Sequence, residues 1–270
     1  MTNPLVSADE LRRLLGSVTV LDVRYRLGAP GGVDEFAAGH VPGSSYVDLD
    51  RDLADPPGDR GRHPLPDPDR FGAAMRAAGV SAARPVVVYD DWGARAAARC
   101  WWLLRHHGHD DVRVLDGGWP AWVDARGPVE TGTPDVAPGD FTGEPGHLPV
   151  LETRDVPSFT GLLVDARAPE RFRGEVEPVD PVAGHIPGAA NVPTEANLAL
   201  DGRFRSVDEL RSLYGVGDGR EVATYCGSGV TACHDLLALA VIDVEGRLYP
   251  GSWSEWVADP SRPVDRGQVR

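Results

Sequence analysis

The chain repeats itself, and this internal duplication restricts the possible folds more than any other feature of the sequence. Four short blocks recur in the same order: residues 20–24 (VLDVR) with 163–167 (LVDAR), 39–43 (GHVPG) with 184–188 (GHIPG), 86–90 (VVVYD) with 222–226 (VATYC), and 117–122 (GGWPAW) with 251–256 (GSWSEW). The offset between partners is far longer than the ~20–50 residues of a solenoid repeat. The pattern therefore predicts two homologous domains.

Length and composition agree with this division. The chain has 270 residues, and single domains cluster near ~100–150 residues. Residues 127–149 are rich in Gly, Pro and Thr and lack hydrophobic periodicity, which is typical of a linker. We expect an N-terminal domain at residues 1–130, a linker at residues 131–149 and a C-terminal domain at residues 150–270.

The charge and the cysteine content exclude several classes of protein. The formal net charge is −14, which argues against nucleic-acid and anionic-membrane partners, because both need a basic surface. The three cysteines form neither a disulfide framework nor a zinc-binding pattern, so we predict no metal and no cofactor. The N-terminal residues lack a secretion signal, and the longest aliphatic run is too short to span a bilayer. We therefore expect a cytoplasmic protein with free thiols.

Short apolar runs alternate with helical patterns in both halves. The predicted strands are residues 18–23, 86–89, 112–115, 162–165, 222–225 and 247–249. Such runs are typical of parallel strands buried on both faces, and strand–helix alternation indicates an α/β fold. Sheets of this class bind ligands at the carboxyl ends of their strands.

One strand end carries the residue with the clearest chemical potential. Cys226 follows the predicted strand 222–225 in the sequence CGSGVTA, and an apolar helical pattern comes next. Glycines allow successive N–H groups to point at one centre, and a helix N-terminus adds partial positive charge. Such a turn stabilises a thiolate, so Cys226 is the predicted nucleophile, with an inert core cysteine as the alternative. The loop residues predicted to bind the substrate are Gly227, Gly229, Val230 and Thr231.

Taken together, these motifs resemble the tandem-domain sulfurtransferases of the rhodanese superfamily over nearly the whole chain. The resemblance rests on the loop at 226–232, GHIPG at 184–188 and YPGSWSEW at 249–256. It implies two tandem rhodanese-like domains, each a parallel sheet flanked by helices, and sulfur transfer through a persulfide on Cys226 in the second. Asp90 replaces this cysteine in the first half, which we therefore expect to be a structural partner.

The same resemblance bears on the sulfur donor. Mercaptopyruvate-type members usually carry Cys-Gly-Ser-Gly-Val-Thr, as at 226–231 here, whereas thiosulfate-type members usually place basic residues in this loop. Asp50 and His63 match an acid and a histidine of the first domain, and with Ser228 they would form a relay for the proton of substrate or product. The resemblance thus implies 3-mercaptopyruvate as donor, with thiosulfate as the alternative. His63 could instead be a solvated loop histidine.

Binding of an anionic donor requires local positive charge in this acidic protein. By resemblance, Arg171 aligns with an arginine that binds the substrate carboxylate, and its planar guanidinium suits that role. The alternative is a helix-surface arginine paired with Glu170 or Glu175. Mercaptopyruvate-type members often carry a second arginine after Glu-Pro, where this chain has Val179. A second cation is therefore missing or comes from another part of the chain.

Other functions fit the sequence less well. A phosphatase of related fold needs Cys-x5-Arg, and position 232 is alanine. A non-catalytic sulfur-binding or regulatory module would not need the Cys226 loop. The predicted partners are a small-molecule sulfur donor and an acceptor, which could be cyanide, a small thiol or thioredoxin.

Residues that recur in both halves, including the half without the cysteine, are interpreted as structural. Two histidines are predicted to stabilise turns, and two acid–arginine pairs are predicted to form ion pairs at strand ends. These residues are His40 and His185, Asp22 with Arg24, and Asp165 with Arg167.

Overall fold

The computed structural model describes residues 3–26, 32–216 and 219–267, which divide into two compact units. The first unit contains the chain up to Asp55, together with Pro66–Leu148 and Leu200–Phe204. The second contains Pro56–Leu65, Pro149–Ala199 and the chain from Arg205 onward. Each half of the duplicated sequence thus forms most of one unit, and two short segments belong to the unit of the opposite half.

The first unit is built on a five-stranded parallel sheet. Its strands are β1 (Leu5–Val6), β2 (Thr19–Asp22), β3 (Ser44–Tyr46), β4 (Val86–Tyr89) and β5 (Val112–Leu115), in the order β1-β5-β4-β2-β3. Its helices are α1 (Ala8–Leu14), α2 (Val33–Ala38), α3 (Leu49–Asp52), α4 (Pro68–Ala77), α5 (Arg95–His106) and α6 (Gly118–Asp124). Every residue of β2 and β4 is buried, as expected for interior strands covered on both faces.

The second unit has a four-stranded parallel sheet. Its strands are β6 (Leu162–Asp165), β7 (Ala190–Asn191), β8 (Val222–Tyr225) and β9 (Arg247–Leu248), in the order β7-β6-β8-β9. Its helices are α7 (Pro169–Phe172), α8 (Val207–Tyr214), α9 (Ala232–Val241) and α10 (Ser252–Trp256), with 3-10 turns at Thr153–Ser158 and Thr194–Asn197. An isolated parallel bridge between Val150 and Leu248 occupies the position that β1 has in the first sheet.

Both units therefore have the predicted α/β architecture, a parallel sheet flanked by helices. In the first unit α5 packs on β4 and β5, and in the second α9 packs on β8 and β9. Within the described residues, none of the helices combines the length and the apolar character needed to cross a membrane.

The residues shared by the two halves make the same contacts in each unit. Arg24 forms a buried ion pair with Asp22 at 2.7 Å, and Arg167 forms one with Asp165 at 2.6 Å. Each recurrent histidine donates a hydrogen bond of 2.7 Å from Nδ1 to a backbone carbonyl, that of Phe36 for His40 and that of Phe172 for His185. The predicted strand-end ion pairs and turn-stabilising hydrogen bonds are thus present.

Residues 56–65 lie in the N-terminal half of the sequence but pack in the second unit. The backbone N–H of Arg62 donates to Ser254 Oγ at 3.1 Å, and the Arg62 guanidinium forms an ion pair of 2.6 Å with Asp180. His63, which follows Arg62, is therefore positioned within the second unit.

His106 is the last residue of α5, and its side chain is buried. Its ring stacks on Trp102 with centroids 4.5 Å apart, and its Nδ1 lies 3.0 Å from the carbonyl oxygen of Leu148. A neutral imidazole satisfies both contacts. Burial lowers the pKa of His106 from 6.5 to about 4.

We expect the free energy of unfolding to fall as the pH is lowered from about 6.5 to about 4, because the unfolded chain binds a proton that folded His106 excludes. One pKa unit corresponds to ~1.4 kcal/mol, so this residue accounts for a loss of about 3 kcal/mol. Urea unfolding at several pH values measures the effect. His106→Phe, which keeps an aromatic ring against Trp102, should show a shallower pH dependence over this interval. The same pH dependence in both proteins would contradict the prediction.

Candidate active site

Cys226 lies directly after β8, an interior strand, at the carboxyl end of the second sheet. Because β8 pairs with β6 on one side and β9 on the other, the backbone entering the loop is fixed from both sides. The cysteine is 1% exposed, and α9 begins at Ala232, once the loop is complete. This is the position that the sequence predicts, between a strand end and a helix N-terminus.

The loop places a backbone donor on the sulfur atom. The N–H of Gly229 lies 3.2 Å from Cys226 Sγ. Gly229 has a φ of +79°, and a Cβ atom there would collide with the carbonyl group of Pro250, so the position requires glycine. Gly227, Val230 and Thr231 form the rest of the loop, and their role in substrate binding stays a prediction.

Ser252 fixes the backbone of the nucleophile. Its buried Oγ accepts a hydrogen bond of 3.1 Å from the Cys226 N–H and donates one of 2.9 Å to the carbonyl oxygen of Tyr249. Ser252 has a φ of +54°, a backbone conformation that is unfavourable for a residue with a side chain. The matching residue of the first half is Gly118, with a φ of +57°. The change from glycine to serine between the halves is the signal that could have identified this residue from the sequence.

Ser228 and His63 form a hydrogen bond beside Cys226. Ser228 Oγ and His63 Nδ1 are 2.7 Å apart, although 165 positions separate the residues in the chain. Both are buried, at 7% and 8% exposure, so His63 is not a solvated loop histidine. The structure thus brings together two of the three residues predicted for the proton relay. Asp50, the third, lies in α3 of the first unit, and its place in the relay stays a prediction.

The other two cysteines lie in helices and are completely buried. Cys100 is in α5 and Cys233 is in α9. Burial raises the pKa of the Cys100 thiol well above its ordinary range, which keeps it in the unreactive thiol form. Cys233 Sγ lies 3.4 Å from the carbonyl oxygen of Gly229, so this thiol contacts the backbone of the Cys226 loop.

Arg171 lies next to the loop with two acids already bound to it. Its Nε and Nη2 donate to Glu177 at 3.1 and 2.6 Å, and Nη2 donates to Asp180 at 3.2 Å. The sequence suggests Glu170 or Glu175 as the alternative partners of Arg171, and the acids bound to it in the structure are different ones. A side chain on Gly227 would begin 3.8 and 3.9 Å from the two Nη atoms of Arg171, so the guanidinium borders the first residue after the nucleophile.

The corresponding loop of the first unit places a carboxylate where the second unit has the cysteine. The carboxylate of Asp90, completely buried after β4, accepts four backbone N–H bonds of 2.8–2.9 Å from Trp92, Ala94, Ala96 and Ala97. Burial raises the pKa of Asp90, and the four N–H bonds oppose this effect. The turn after the interior strand therefore directs backbone donors at the residue that follows the strand, four at Asp90 in the first unit and the N–H of Gly229 at Cys226 in the second.

The arrangement suits nucleophilic attack on an anionic substrate. The second unit offers a thiol at a strand end, an N–H donor on its sulfur, a hydroxyl–imidazole pair and a neighbouring guanidinium. Across the described ranges, no cluster of three or more His, Cys, Asp or Glu side chains is placed to hold a metal ion.

Comparison with known families gives one match for each half of the chain. Residues 7–125 and residues 151–259 both match the family described as the rhodanese-like domain. The two matches cover most of the chain and follow the duplication.

Named relatives align with nearly the whole chain. SseB of Mycobacterium tuberculosis, provisionally named a thiosulfate sulfurtransferase, is 46% identical over 275 residues, covering 97% of each chain. A protein of Pseudomonas aeruginosa, provisionally named a 3-mercaptopyruvate sulfurtransferase, is 44% identical over 278 residues, covering 97% of this chain and 98% of its own. The crystal structure of SseA from Escherichia coli, described as a 3-mercaptopyruvate sulfotransferase with a rhodanese fold, matches with a TM-score of 0.82 and 33% identity, covering 94% of this chain and 100% of its own.

Proposed function

Because the chain belongs to the rhodanese family and is a sulfurtransferase, we propose that it takes sulfur from 3-mercaptopyruvate and passes it to a thiophilic acceptor through a persulfide on Cys226. The observation that carries this proposal is the hydrogen bond between Ser228 and His63 beside the Cys226 loop. A hydroxyl–imidazole pair moves protons. Of the two candidate donors, mercaptopyruvate is the one whose leaving group must take up a proton.

The first half-reaction is attack of the Cys226 thiolate on the sulfur of the donor. A sulfur–sulfur bond forms, and the carbon–sulfur bond of mercaptopyruvate breaks with its electron pair left on the methylene carbon. The leaving group is the enolate of pyruvate. The proton of the donor's thiol is released and one proton is added to the enolate, so the step needs no outside oxidant or reductant.

We assign to Ser228 and His63 the transfer of a proton from the donor's thiol to the enolate. With a neutral imidazole whose Nδ1 is unprotonated, Ser228 donates its hydroxyl hydrogen to His63 across 2.7 Å. The serine oxygen then accepts the donor's thiol proton, and the pair returns a proton to the enolate. Asp50 is the third residue proposed for this relay. General acid–base catalysis of this kind contributes typically ~10²–10⁴-fold.

The second half-reaction returns the enzyme to its starting state. The acceptor attacks the outer sulfur of the persulfide, the sulfur–sulfur bond breaks, and Cys226 leaves as thiolate. Cyanide, a small thiol and thioredoxin are nucleophiles suited to this step. The three cysteines are free, as in a reducing compartment, and we assign the reaction to the cytoplasm.

Thiosulfate is the second candidate donor. Val179 at the place of the second family arginine favours it, as does the name of the Mycobacterium tuberculosis relative. The loop from Cys226 to Ala232 contains no basic residue that would attract a dianion. Sulfite also leaves as a stable anion, so thiosulfate would not use the Ser228–His63 pair.

Steady-state kinetics with both donors tests the proposal. With cyanide as the shared acceptor, formation of thiocyanate reports both reactions on one scale. We expect kcat/KM to be higher for 3-mercaptopyruvate than for thiosulfate by about 10-fold or more, since only the former gains from acid–base catalysis. The coproducts, pyruvate and sulfite, are measured independently. A preference for thiosulfate would replace the proposed donor by the alternative.

A further inference from the structure

Resting on the sulfurtransferase function proposed above, we propose that Arg62 is the second cation that binds the anionic group of the sulfur donor. Val179, at the place of the missing family arginine, is an exposed apolar residue and cannot supply this charge. Arg62 comes from residues 56–65, which lie far away in sequence but pack in the second unit. Its position explains how the site can hold a carboxylate without an arginine at position 179.

The Arg62 guanidinium lies directly against the Cys226 loop. A Cβ atom on Gly227 would be 3.0 Å from Nη2 of Arg62, closer than to either Nη atom of Arg171. The two guanidinium groups therefore flank the backbone of the same residue, the one after the nucleophile. Because Gly227 has no side chain, an anion that approaches the cysteine can reach both cations.

Asp180 holds the two arginines in this arrangement. Its carboxylate accepts from Arg62 Nη1 at 2.6 Å and from Arg171 Nη2 at 3.2 Å, and its side chain is 3% exposed. The backbone of Arg62 is fixed as well, because its N–H donates to Ser254 Oγ at 3.1 Å. Both ends of the Arg62 side chain are thus positioned before a donor arrives, so binding needs little ordering.

The acids leave part of each guanidinium available. A guanidinium has five N–H donors. Among the described residues, Arg62 donates from Nη1 and Nη2 to Asp180, and Nη1 of Arg171 bonds to neither acid. Burial would raise the pKa of Glu177, but hydrogen bonds from Arg171 and from two backbone N–H groups hold it below its ordinary value. Glu177 is therefore an anion that holds Arg171 through Nε and Nη2. The remaining Nη hydrogens of the two arginines can donate charge-assisted hydrogen bonds to a carboxylate.

Alkylation of Cys226 by a charged and a neutral reagent tests this role without requiring sulfur transfer. Iodoacetate carries a carboxylate near its reactive carbon, and iodoacetamide is its neutral counterpart. The ratio of the two rate constants cancels any change in thiolate content, because both reagents attack the same thiolate. We expect Arg62→Gln to lower the iodoacetate-to-iodoacetamide ratio by about 10-fold or more, the effect of one lost charge-assisted contact. Arg171→Gln should lower it similarly.

Two further variants make the result specific. Arg62→Lys keeps the charge but loses the planar guanidinium, and we expect its iodoacetate-to-iodoacetamide ratio to lie between those of Arg62→Gln and the wild-type protein. If thermal melting shows that Arg62→Gln does not fold, Arg62→Lys replaces it in the test. Arg211→Gln removes the same charge from the exposed surface of α8 and should leave the ratio unchanged. An unchanged ratio in folded Arg62→Gln would overturn the role of Arg62.

Kinetics with the sulfur donor separates this inference from the proposed function. We expect Arg62→Gln to raise the KM for 3-mercaptopyruvate by about 10-fold or more, with a smaller effect on kcat. If the unmodified enzyme does not use mercaptopyruvate, the proposed function fails, and the alkylation ratio still decides whether Arg62 binds anions. If the enzyme is active and neither KM nor the ratio changes in Arg62→Gln, the role of Arg62 is wrong and the proposed function stands.

Discussion

Replacement of Cys226 by serine should reduce sulfur transfer below detection with either donor while leaving the fold intact. A serine oxygen fits the turn after β8 and can still accept the N–H of Gly229, which lies 3.2 Å from the sulfur in the native protein. It cannot form a persulfide, and an alkoxide is far less accessible near neutral pH than a thiolate. The measurements are thiocyanate formation from each donor and thermal melting of the variant.

The other two cysteines provide matched controls. Cys100→Ala and Cys233→Ala remove thiols that are completely buried in helices, and we expect both variants to keep most of the wild-type kcat. Cys233 contacts the carbonyl group of Gly229, so a modest effect at this position is compatible with a supporting role. Full activity in Cys226→Ser, or complete loss in folded Cys100→Ala, would show that the nucleophile is wrongly assigned.

Removal of the hydroxyl–imidazole pair should separate the two donors. We expect Ser228→Ala and His63→Ala to lower kcat/KM for 3-mercaptopyruvate by ~10²–10⁴-fold, the usual contribution of general acid–base catalysis. The same variants should change kcat/KM for thiosulfate much less, because sulfite leaves without a proton. Initial rates with both donors, measured on one preparation of each variant, give the comparison.

The double variant adds a check on the mechanism. Because Ser228 and His63 are joined by one hydrogen bond of 2.7 Å, their effects should be strongly non-additive, and the double variant should be about as slow as the slower single variant. Asp50→Asn should also lower kcat for mercaptopyruvate, because Asp50 is the third residue proposed for the relay. Equal losses for both donors would instead make Ser228 a residue that shapes the loop.

The interior strands are the part of the fold that the sequence predicts best. The predicted strands at residues 86–89, 112–115, 162–165 and 222–225 have the same bounds as β4, β5, β6 and β8. These strands are largely buried, so hydrophobicity alone identifies them. Three strands are not predicted from the sequence, β1, β3 and β7, which have only two or three residues each. Their pairing is decided by the neighbouring strand and leaves no periodic signal.

In the candidate site as well, the sequence predicts the features that depend on neighbouring residues and misses those that depend on distant contacts. Turn chemistry over a few residues predicts the position of Cys226, whereas the glycine requirement at 229 comes from the approach of Pro250 and is visible only in the structure. The position of Arg62 depends on packing between residues that are 192 positions apart, as in its contact with Ser254, and no local pattern reports such packing. Val179 indicates that a cation is missing but not where its replacement lies. The Ser228–His63 contact was accessible only through the family resemblance.

The most direct test of a Cys226 persulfide is the intact mass of the protein after reaction with 3-mercaptopyruvate in the absence of an acceptor. We predict that the desalted wild-type protein gains about 32 Da, the mass of one sulfur atom, and loses this gain when cyanide is added. Peptide mapping should place the extra sulfur on Cys226, and Cys226→Ser should show no gain. Extra sulfur found on Cys100 or Cys233, or turnover without any such species in the wild-type protein, would contradict transfer through Cys226.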